Sequence, residues 1–477
     1  MKEEHEHFVQ RFVEELEENN VAIFAGAGLS SSAGYVNWKE LIRPLAKELR
    51  LDVVQEHDLV GIAQYYFNEN GRYRISQQLM DEIASAKSPT ENHRILSSLP
   101  ISTYWTTNYD KLIEKSLEEN GKIVDVKYSN NHLSLTKKKR DAVVYKMHGD
   151  IDHPDTAVLT KDDYEKYSVR KAPYITALSG DLVSKTFLFL GFSFTDPNLD
   201  YIMSRVRAYF EDHLRQHYCI FKKCSKSDYS NEDELKNALV KQNLLIKDLQ
   251  RFRVKTLLVD DYSEITVILK RIDNLYRRRT IFLSGSASDF GKWAKEDVES
   301  FLCKLGAILV ERNYKISSGI GLGIGNAFIT GAIQSVYSYH NGKVSDYLNM
   351  KPFPQFIDDA NLRKSTWTKY RREIIGSSGI ALFFMGNKFV NNEIVNADGM
   401  EEEFDIAREL GLQIVPIGCS GYKAKEIWDR VKSHPDNYFE LISDEFIQAL
   451  DDLGREVEKP EHLISKILHF LDLISKE

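Results

Sequence analysis

The sequence predicts an α/β protein with two domains, each built on a parallel β-sheet that helices cover. Short apolar runs of strand length alternate with stretches of helical periodicity along most of the 477 residues. Polar or glycine-rich clusters directly follow several of these runs, at residues 24–30, 106–110 and 146–150. Because ligands of open parallel sheets bind beyond the carboxyl ends of the strands, this order predicts a nucleotide site in the first half.

The composition is that of an ordinary globular chain. A hydrophobic fraction of 42% can form sizeable cores, and a net charge of −8 disfavours affinity for nucleic acid or anionic membranes. The N-terminus is charged and lacks the apolar core of a signal peptide, and runs such as residues 186–190 are too short to span a bilayer. We therefore expect a cytoplasmic protein with no nucleic-acid or membrane partner.

The four cysteines predict neither a disulfide framework nor a zinc site. Cys219 and Cys224 form the only close pair, while Cys303 and Cys419 stand alone. His217 lies near Cys219, but a structural zinc site normally needs four Cys or His ligands at tight spacing. Buried thiols without a metal are the favoured interpretation.

In the first predicted domain helices alternate with strands, and a polar or glycine-rich cluster follows each strand. Asn37 followed by Glu40 is typical of a helix N-cap, and Pro44 predicts a kink or a short first segment in that helix. The other predicted helices cover residues 8–20, 55–86 and 91–99. The predicted strands cover residues 21–23, 101–106, 142–146 and 187–190.

A second α/β series begins after a predicted helix over residues 262–280, which contains three consecutive arginines. The predicted domains are therefore residues 1–275 and 276–477. The second domain is predicted to have strands at residues 281–286, 314–318, 380–384 and 413–417. Residues 338–366 are polar and aperiodic, which predicts an inserted loop.

Four motifs of the first domain carry a family resemblance. They are Gly26-Ala27-Gly28-Leu29-Ser30, Asn108-Tyr109-Asp110, His148-Gly149 and Gly191-Phe192-Ser193. In this order they resemble the NAD-binding motifs of sirtuins, over roughly residues 15–200. Ser31 replaces the third glycine of the usual dinucleotide fingerprint, which disfavours an ordinary dehydrogenase. The resemblance implies a Rossmann-type parallel sheet with a helical cover.

The resemblance also implies a role for each residue. Asn108 and His148 would be catalytic, with Asn108 on the nicotinamide-ribose hydroxyls and His148 as a base near the ribose. Gly26 to Gly28 would hold the pyrophosphate, Asp110 would face the nicotinamide amide, and Gly191 with Ser193 would line the adenosine side. The full NAD-binding set comprises Ala25, Gly26, Ala27, Gly28, Ser30, Asp110, Gly191 and Ser193. Breaking the nicotinamide–ribose bond builds positive charge on the sugar, so firm positioning and electron-rich groups suit the reaction.

One departure from the family indicates which reaction follows. Protein-deacylating sirtuins carry a four-cysteine zinc module after the His-Gly motif, whereas residues 149–186 contain no cysteine. Residues 159–167 predict a helical cover instead. Without a peptide groove, water or the ribose becomes the acceptor, which favours hydrolysis with NAD+ as the substrate. No metal is expected. An NAD-dependent protein deacylase and a nucleotide sensor without catalysis are the alternatives, and the product is either linear or cyclised ADP-ribose.

The second domain resembles the SLOG superfamily of Rossmann-like nucleotide binders, over roughly residues 278–440. Ser284-Gly285-Ser286 ends a predicted strand, and glycines alternate over residues 319–325 before a predicted helix. Related enzymes that cleave nucleotides have a Pro-Gly-Gly-x-Gly-Thr loop, which residues 396–403 lack, so this pocket is expected to bind without cutting. The candidate signal-binding residues are Ser284, Gly285, Gly321, Gly323, Arg371, Lys388 and Glu403.

The combination of the two domains resembles the effectors of bacterial Thoeris anti-phage systems. That resemblance implies an activator, a cyclic ADP-ribose isomer, which a partner protein with a TIR domain makes on infection. It further implies depletion of NAD+ as the defence, and a homotetramer that assembles further on activation.

Overall fold

The chain divides into two compact units, Met1–Asp273 and Asn274–Glu477, in a computed structural model. The structure describes residues 2–53, 56, 58–83, 87–339, 342–354, 357–439 and 442–475. The division falls within the helix that spans Ser263–Arg278, and the boundary predicted near residue 275 lies in the same helix. Among the described residues, no helix combines the length and the apolar composition that crossing a bilayer requires.

The first unit contains a seven-stranded sheet in which all neighbouring strands run parallel. Its strands are β1 Val21–Ala25, β2 Thr103–Thr106, β3 Val124–Lys127, β4 Ala142–Lys146, β5 Thr186–Leu190, β6 His217–Lys222 and β7 Val254–Val259. Their order in the sheet is β3-β4-β2-β1-β5-β6-β7. The chain leaves β1 toward β2 on one side and β5 toward β6 on the other. The carboxyl ends of β1 and β5 therefore form the switch point where such sheets bind ligands.

The helices of the first unit pack against this sheet and above its carboxyl edge. They are α1 Glu3–Glu17, α2 Ala27–Ser31, α3 Trp38–Glu48, α4 Leu59–Ile83, α5 Glu91–Ser98, α6 Leu112–Glu119, α7 Asn130–Ser134, α8 Lys161–Glu165, α9 Tyr167–Arg170, α10 Ala172–Ser184, α11 Pro197–Phe210, α12 Glu232–Gln250 and α13 Ser263–Arg278. Apolar side chains of β1 and β5, among them Phe24, Phe187 and Phe189, form a core with α10 and α11. A separate cluster joins α3 and α4 to Tyr109, Ala157 and Leu159, which makes these two helices a cover for the following loops.

Several predicted elements of the first unit are confirmed with shifted ends. Asn37 caps α3, since its side chain accepts the Glu40 amide at 3.0 Å, but the helix continues through Pro44 without a short first segment. Helix α4 bends at Gly71, where φ is 74°. The helix predicted over residues 55–86 is observed as α4, and residues 55, 57 and 84–86 lie outside the described residues. Strand β1 extends to Ala25, and the predicted loop after it contains the short helix α2.

The second unit contains a five-stranded sheet, again parallel throughout, in the order β10-β9-β8-β11-β14. A two-stranded antiparallel hairpin, β12 with β13, follows β11. The strands are β8 Thr280–Ser286, β9 Lys315–Ser318, β10 Leu348–Met350, β11 Ile380–Met385, β12 Asn387–Val390, β13 Glu393–Asn396 and β14 Gln413–Pro416. Connections leave β8 and β11 in opposite directions, so their carboxyl ends form the switch point of this unit.

Helices on both faces of the second sheet enclose one apolar core. They are α14 Lys295–Glu311, α15 Gly325–Tyr339, α16 Val344–Tyr347, α17 Ala360–Gly376, α18 Asp398–Glu409, α19 Tyr422–Ser433, α20 Asp444–Gly454 and α21 Leu463–Ile474. The prediction of an inserted loop over residues 338–366 is wrong in part. That segment contains α16, the edge strand β10 and the first turns of α17, because main-chain pairing of β10 with β9 needs no apolar periodicity. Residues 340–341 and 355–356 of this segment lie outside the described residues.

Candidate functional site

Two glycine-containing loops meet at the switch point of the first sheet. The amide of Gly26 donates to the Leu190 carbonyl, and the amide of Gly28 donates to the Gly191 carbonyl, each at 2.9 Å. A Cβ atom on Gly191 would overlap the Leu29 amide, and Gly191 also adopts a φ of 62°. Glycine is thus required here for contact between the two loops, and the amides of Gly26 and Gly28 are already used within the protein.

Asn108 joins a third loop to this pair. It follows β2, and its side-chain amide donates to the Gly26 carbonyl at 3.0 Å and to the Ser30 hydroxyl at 3.1 Å. The Asn108 main-chain amide is held by the Thr106 hydroxyl at 2.9 Å. The predicted catalytic residue and the predicted pyrophosphate loop are therefore in direct contact. Ala25 ends β1, with its carbonyl accepting from the Thr106 hydroxyl at 2.9 Å.

The fully buried ammonium of Lys146 connects the loop that carries Asn108 to the loop that carries His148. Lys146, the last residue of β4, lies 2.7 Å from Asp150 and 3.1 Å from Glu114, and it donates to the carbonyls of Tyr109 and Asp110. Burial is the largest influence and opposes the charged form, but the carboxylates of Glu114 and Asp150 together raise the pKa of Lys146. For the carboxyl group of Glu114, burial is the largest influence and raises the pKa. The ion pair fixes the loops after β2 and β4 relative to each other.

Asp110 lies within the same buried network. Its carboxylate accepts the Leu112 amide at 3.0 Å and so stabilises the start of α6. The resemblance to sirtuins implies that Asp110 faces the nicotinamide amide. In the structure one of its carboxylate oxygens, Oδ1, is engaged by the main chain.

His148 is buried at the start of the loop after β4. Its Nε2 lies 3.1 Å from Asp196 Oδ2, although Nε2 makes no aligned hydrogen bond with the described part of the chain. The rings of Tyr164 and Tyr167 approach the imidazole edge to face, with centroid distances of 5.5 and 6.2 Å. The loop after β5 thus reaches both the glycine loop, through Gly191, and the imidazole, through Asp196.

The predicted helical cover is present as α8 and α9. Tyr109 donates to the Val158 carbonyl at 2.7 Å, and the Val158 amide donates to the His148 carbonyl at 2.8 Å. Arg72, next to the bend in α4, pairs with Asp163 at 2.6 Å. These contacts hold the cover over the loops that carry Asn108 and His148. Ser193 stays exposed, with its hydroxyl 2.8 Å from that of Thr195.

In the second unit, three of the candidate signal-binding side chains are in contact. Arg371 is buried in α17, its guanidinium 2.5 Å from Glu402 and 3.4 Å from Glu403, and Glu403 accepts from the Ser284 hydroxyl at 2.6 Å. The guanidinium also lies 5.0 Å from the ring centroid of Phe353. Burial raises the pKa of Glu403, although Ser284 and Arg371 oppose this shift.

The remaining candidates surround this cluster. Gly321 contacts the Gly285 carbonyl so closely that no Cβ atom fits, and Gly323 contacts the Ala287 carbonyl in the same way. Lys388, on the β12–β13 hairpin, forms an ion pair with Asp398 at the start of α18. The next residue, Gly399, leaves room for the Arg371 guanidinium, because a Cβ atom there would lie 2.7 Å from it. All seven candidates therefore belong to the carboxyl edge of the second sheet.

Among the described residues, no group of three His, Cys, Asp or Glu side chains could hold a metal ion. All four cysteines are free, and Cys219 is buried with its sulfur 3.2 Å from the Thr256 hydroxyl. Burial raises the pKa of the Cys219 thiol to about 12. This thiol is a packed side chain of β6.

Sequence reasoning missed Lys146, Glu114, Asp196 and Arg72. The dipeptide Asp196-Pro197 carries the signal of a helix N-cap followed by proline at the first helical position, and this signal could have located the start of α11. No sequence pattern indicates that the same carboxylate meets His148. Lys146 ends an apolar strand, where an exposed lysine would give the same sequence.

Comparison with known proteins gives two family matches and close relatives over the full length. Residues 102–244 match a family of SIR2-like domains, and residues 264–474 match the Sir2- and TIR-associating SLOG family. The chain is 56% identical to the NAD(+) hydrolase ThsA of Acinetobacter baumannii (strain 532279), covering 99% of this chain and 100% of that relative. It is 48% identical to the NAD(+) hydrolase ThsA of Bacillus cereus (strain MSX-D12), covering 98% of each chain. It is also 24% identical to the defense-associated sirtuin 2 of Bacillus subtilis, over 44% of this chain and 22% of that relative.

Replacing Lys146 by Met is expected to lower the free energy of unfolding by about 3–5 kcal/mol, because two carboxylates would lose their buried counter-charge. Urea unfolding followed by circular dichroism measures this loss. Lys166→Met is the matched control, since Lys166 pairs with Asp162 at 2.9 Å on the surface, and such pairs contribute at most about 1 kcal/mol. Equal unfolding midpoints for the two variants would show that the buried pair does not stabilise the unit.

Proposed function

The chain belongs to the ThsA family of NAD(+) hydrolases, and we propose that its first unit releases nicotinamide from NAD+ when its second unit binds a cyclic ADP-ribose isomer. The proposal that the first unit hydrolyses NAD+ depends on one observation, which is that four loops meet at one edge of the sheet. These loops follow β1, β2, β4 and β5, and they are joined by direct contacts through Gly26, Asn108, Lys146 and Gly191. Such a set of fixed loops at a switch point suits a dinucleotide.

In this proposal the glycine loop contributes a surface without side chains. The amides of Gly26 and Gly28 already bind main-chain carbonyls, so the loop serves mainly by allowing the pyrophosphate to approach the backbone closely. Ala25, Ala27 and Ser30 complete this surface. Gly28, Gly191 and Ser193 are exposed, which leaves an open edge for the adenosine side.

Asn108 and His148 are proposed to carry out the chemistry. When the glycosidic bond breaks, its electron pair leaves with nicotinamide and positive charge develops on the ribose. The Asn108 amide, fixed by Gly26 and Ser30, would hold the ribose hydroxyls while Asp110 faces the nicotinamide amide. His148 would accept the proton of the attacking water, which gives ADP-ribose, nicotinamide and one released proton.

The contacts of the cover support water as the acceptor. Helices α8 and α9 occupy the region that follows the His148 loop, and Arg72, Asp163 and Tyr109 hold this cover in place. The segment from residue 149 to 186 contains no cysteine for a zinc module. Hydrolysis of NAD+ and the resulting depletion would serve as defence, in line with the names of the relatives.

The second unit is proposed to bind the activating signal around Arg371. In the structure the guanidinium is held by Glu402 and Glu403, so a phosphate of the ligand has to compete with both carboxylates. Glu403 would then be free to accept a ribose hydroxyl, and Ser284 and Lys388 would complete the polar contacts, with Gly285, Gly321 and Gly323 beside the phosphates. Changing a population from mostly inactive to mostly active requires about 5.5 kcal/mol of differential binding. If the Arg371 guanidinium exchanges its carboxylate partners for a phosphate, the ligand can bind one conformation more tightly than the other.

Two further parts of the proposal concern partners. The match to a SLOG family that associates with Sir2 and TIR domains supports a TIR-domain protein as the source of the signal. The homotetramer and its further assembly on activation remain a prediction from the resemblance.

The variant Asn108→Ala is expected to lower nicotinamide release by at least about a hundredfold, because the ribose loses its positioning group. Release is followed by chromatography of the purified full chain with NAD+ and cyclic ADP-ribose isomers. Asn130→Ala is the control, since Asn130 is exposed and donates to the Arg170 carbonyl at 2.6 Å. Continued NAD+ consumption by Asn108→Ala would remove Asn108 from the catalytic assignment.

The variant Arg371→Ala is expected to abolish the response to the signal. The ratio of nicotinamide release with and without cyclic ADP-ribose isomers should fall to about one, and binding of the isomer by calorimetry should be lost. Arg372→Ala is the control, because the next residue of the same helix pairs with Glu409 at the surface and stands outside the cluster. An unchanged response in Arg371→Ala would place the signal elsewhere.

A further inference from the structure

The loop between β5 and α11 places a second titratable group against the proposed base. Asp196 Oδ2 lies 3.1 Å from His148 Nε2, and the two side chains are only 9% and 5% exposed. The other oxygen, Oδ1, accepts the amides of Asn198 and Leu199 at 2.9 and 3.0 Å and caps α11. The two oxygens of one carboxylate thus have separate partners, the helix and the imidazole.

The surroundings keep this carboxylate charged. Burial is the largest influence on Asp196 and opposes ionisation, but His148 and the two capping amides together lower its pKa. Three phenols also pack nearby, Tyr164 and Tyr167 against the ring and Tyr109 beneath the cover. Burial raises the pKa of all three phenols, so they are neutral near pH 7.

The cover also holds the ion pair of Arg72 with Asp163, whose charges offset each other at 2.6 Å. Asp196 is therefore the anion in contact with the imidazole among the described residues. A carboxylate beside one ring nitrogen favours the tautomer that carries its proton there and leaves the lone pair on the other nitrogen.

We infer that Asp196 is the positioning residue of His148: it holds the Nε2–H tautomer, leaves Nδ1 as the base, and stabilises the imidazolium formed during hydrolysis. This inference rests on the proposed function. In the step it concerns, the water oxygen forms a bond to the ribose carbon as the bond to nicotinamide breaks, and the electron pair leaves with nicotinamide. The water proton passes to Nδ1 and then to solvent, while Asp196 remains ionised throughout. His148 Nε2 and Asp196 Oδ2 are within ion-pair distance but are not aligned as a hydrogen bond. This is expected of a site without substrate, because catalytic contacts often tighten only when substrate binds.

A second helix in the same chain shows what capping alone requires. Asp359-Ala360-Asn361-Leu362 has the same Asp-x-Asn-Leu pattern as residues 196–199, and Asp359 accepts the amides of Asn361 and Leu362 at 2.8 and 2.9 Å. That carboxylate is exposed to solvent. Capping therefore does not explain why Asp196 is buried with its second oxygen against an imidazole.

The matched pair Asp196→Asn and Asp359→Asn tests the inference. Asn caps helices as well as Asp does, so both variants should keep the wild-type thermal unfolding midpoint. With NAD+ and cyclic ADP-ribose isomers, Asp196→Asn should lose at least about a hundredfold in kcat with little change in KM, since its amide favours the wrong tautomer. Asp359→Asn should keep kcat and KM.

Two results separate the inference from the function on which it rests. Equal kcat values for the two variants, when the wild-type chain hydrolyses NAD+, would overturn the role of Asp196 alone. A loss confined to KM or to the unfolding midpoint would overturn it as well, because that result describes a cap. A wild-type chain that releases no nicotinamide, or an Asn108→Ala variant that releases it normally, would instead overturn the proposed function.

Discussion

The buried ammonium of Lys146 is the constraint on which the candidate active site depends. It lies where β4 ends and binds carboxylates of Glu114 and Asp150 together with main-chain carbonyls of the neighbouring loop. A charge buried in this way is stable only while every partner stays in place. The loops that carry Asn108 and His148 are therefore held at a fixed separation by this ion-pair network.

The second unit also contains a buried cation that carboxylates hold in place. There a single buried guanidinium, Arg371, is shared between Glu402 and Glu403 at the edge of the sheet. Lys146 binds main-chain carbonyls and two carboxylates inside a closed network. The partners of Arg371 are instead side chains on one turn of α18, and we propose that a ligand replaces them. In our proposal the first ion-pair network fixes a site for chemistry, and the second exchanges its partners when the signal binds.

Much of the fold was predictable from the sequence, because apolar strand runs and their polar ends are local patterns. Strands such as β1, β4 and β11 and the cap of α3 by Asn37 follow from such patterns. The edge strand β10 was missed because main-chain pairing leaves no mark in a polar segment. The glycine motif was predictable as a loop, but its contact with Gly191 was not, since that contact depends on how β1 and β5 pair. The partners Lys146 and Asp196 depend on tertiary distances for the same reason.

We propose that the two units are coupled, so that a nucleotide bound by the second unit increases hydrolysis of NAD+ in the first. Nicotinamide release by the purified full chain, measured with NAD+ alone and with NAD+ plus cyclic ADP-ribose isomers, tests this coupling directly. We expect slow release without an isomer, a large rise in rate with the activating isomer, and one ADP-ribose for each nicotinamide. Release at the same rate under both conditions, or no release under either, would contradict this proposal.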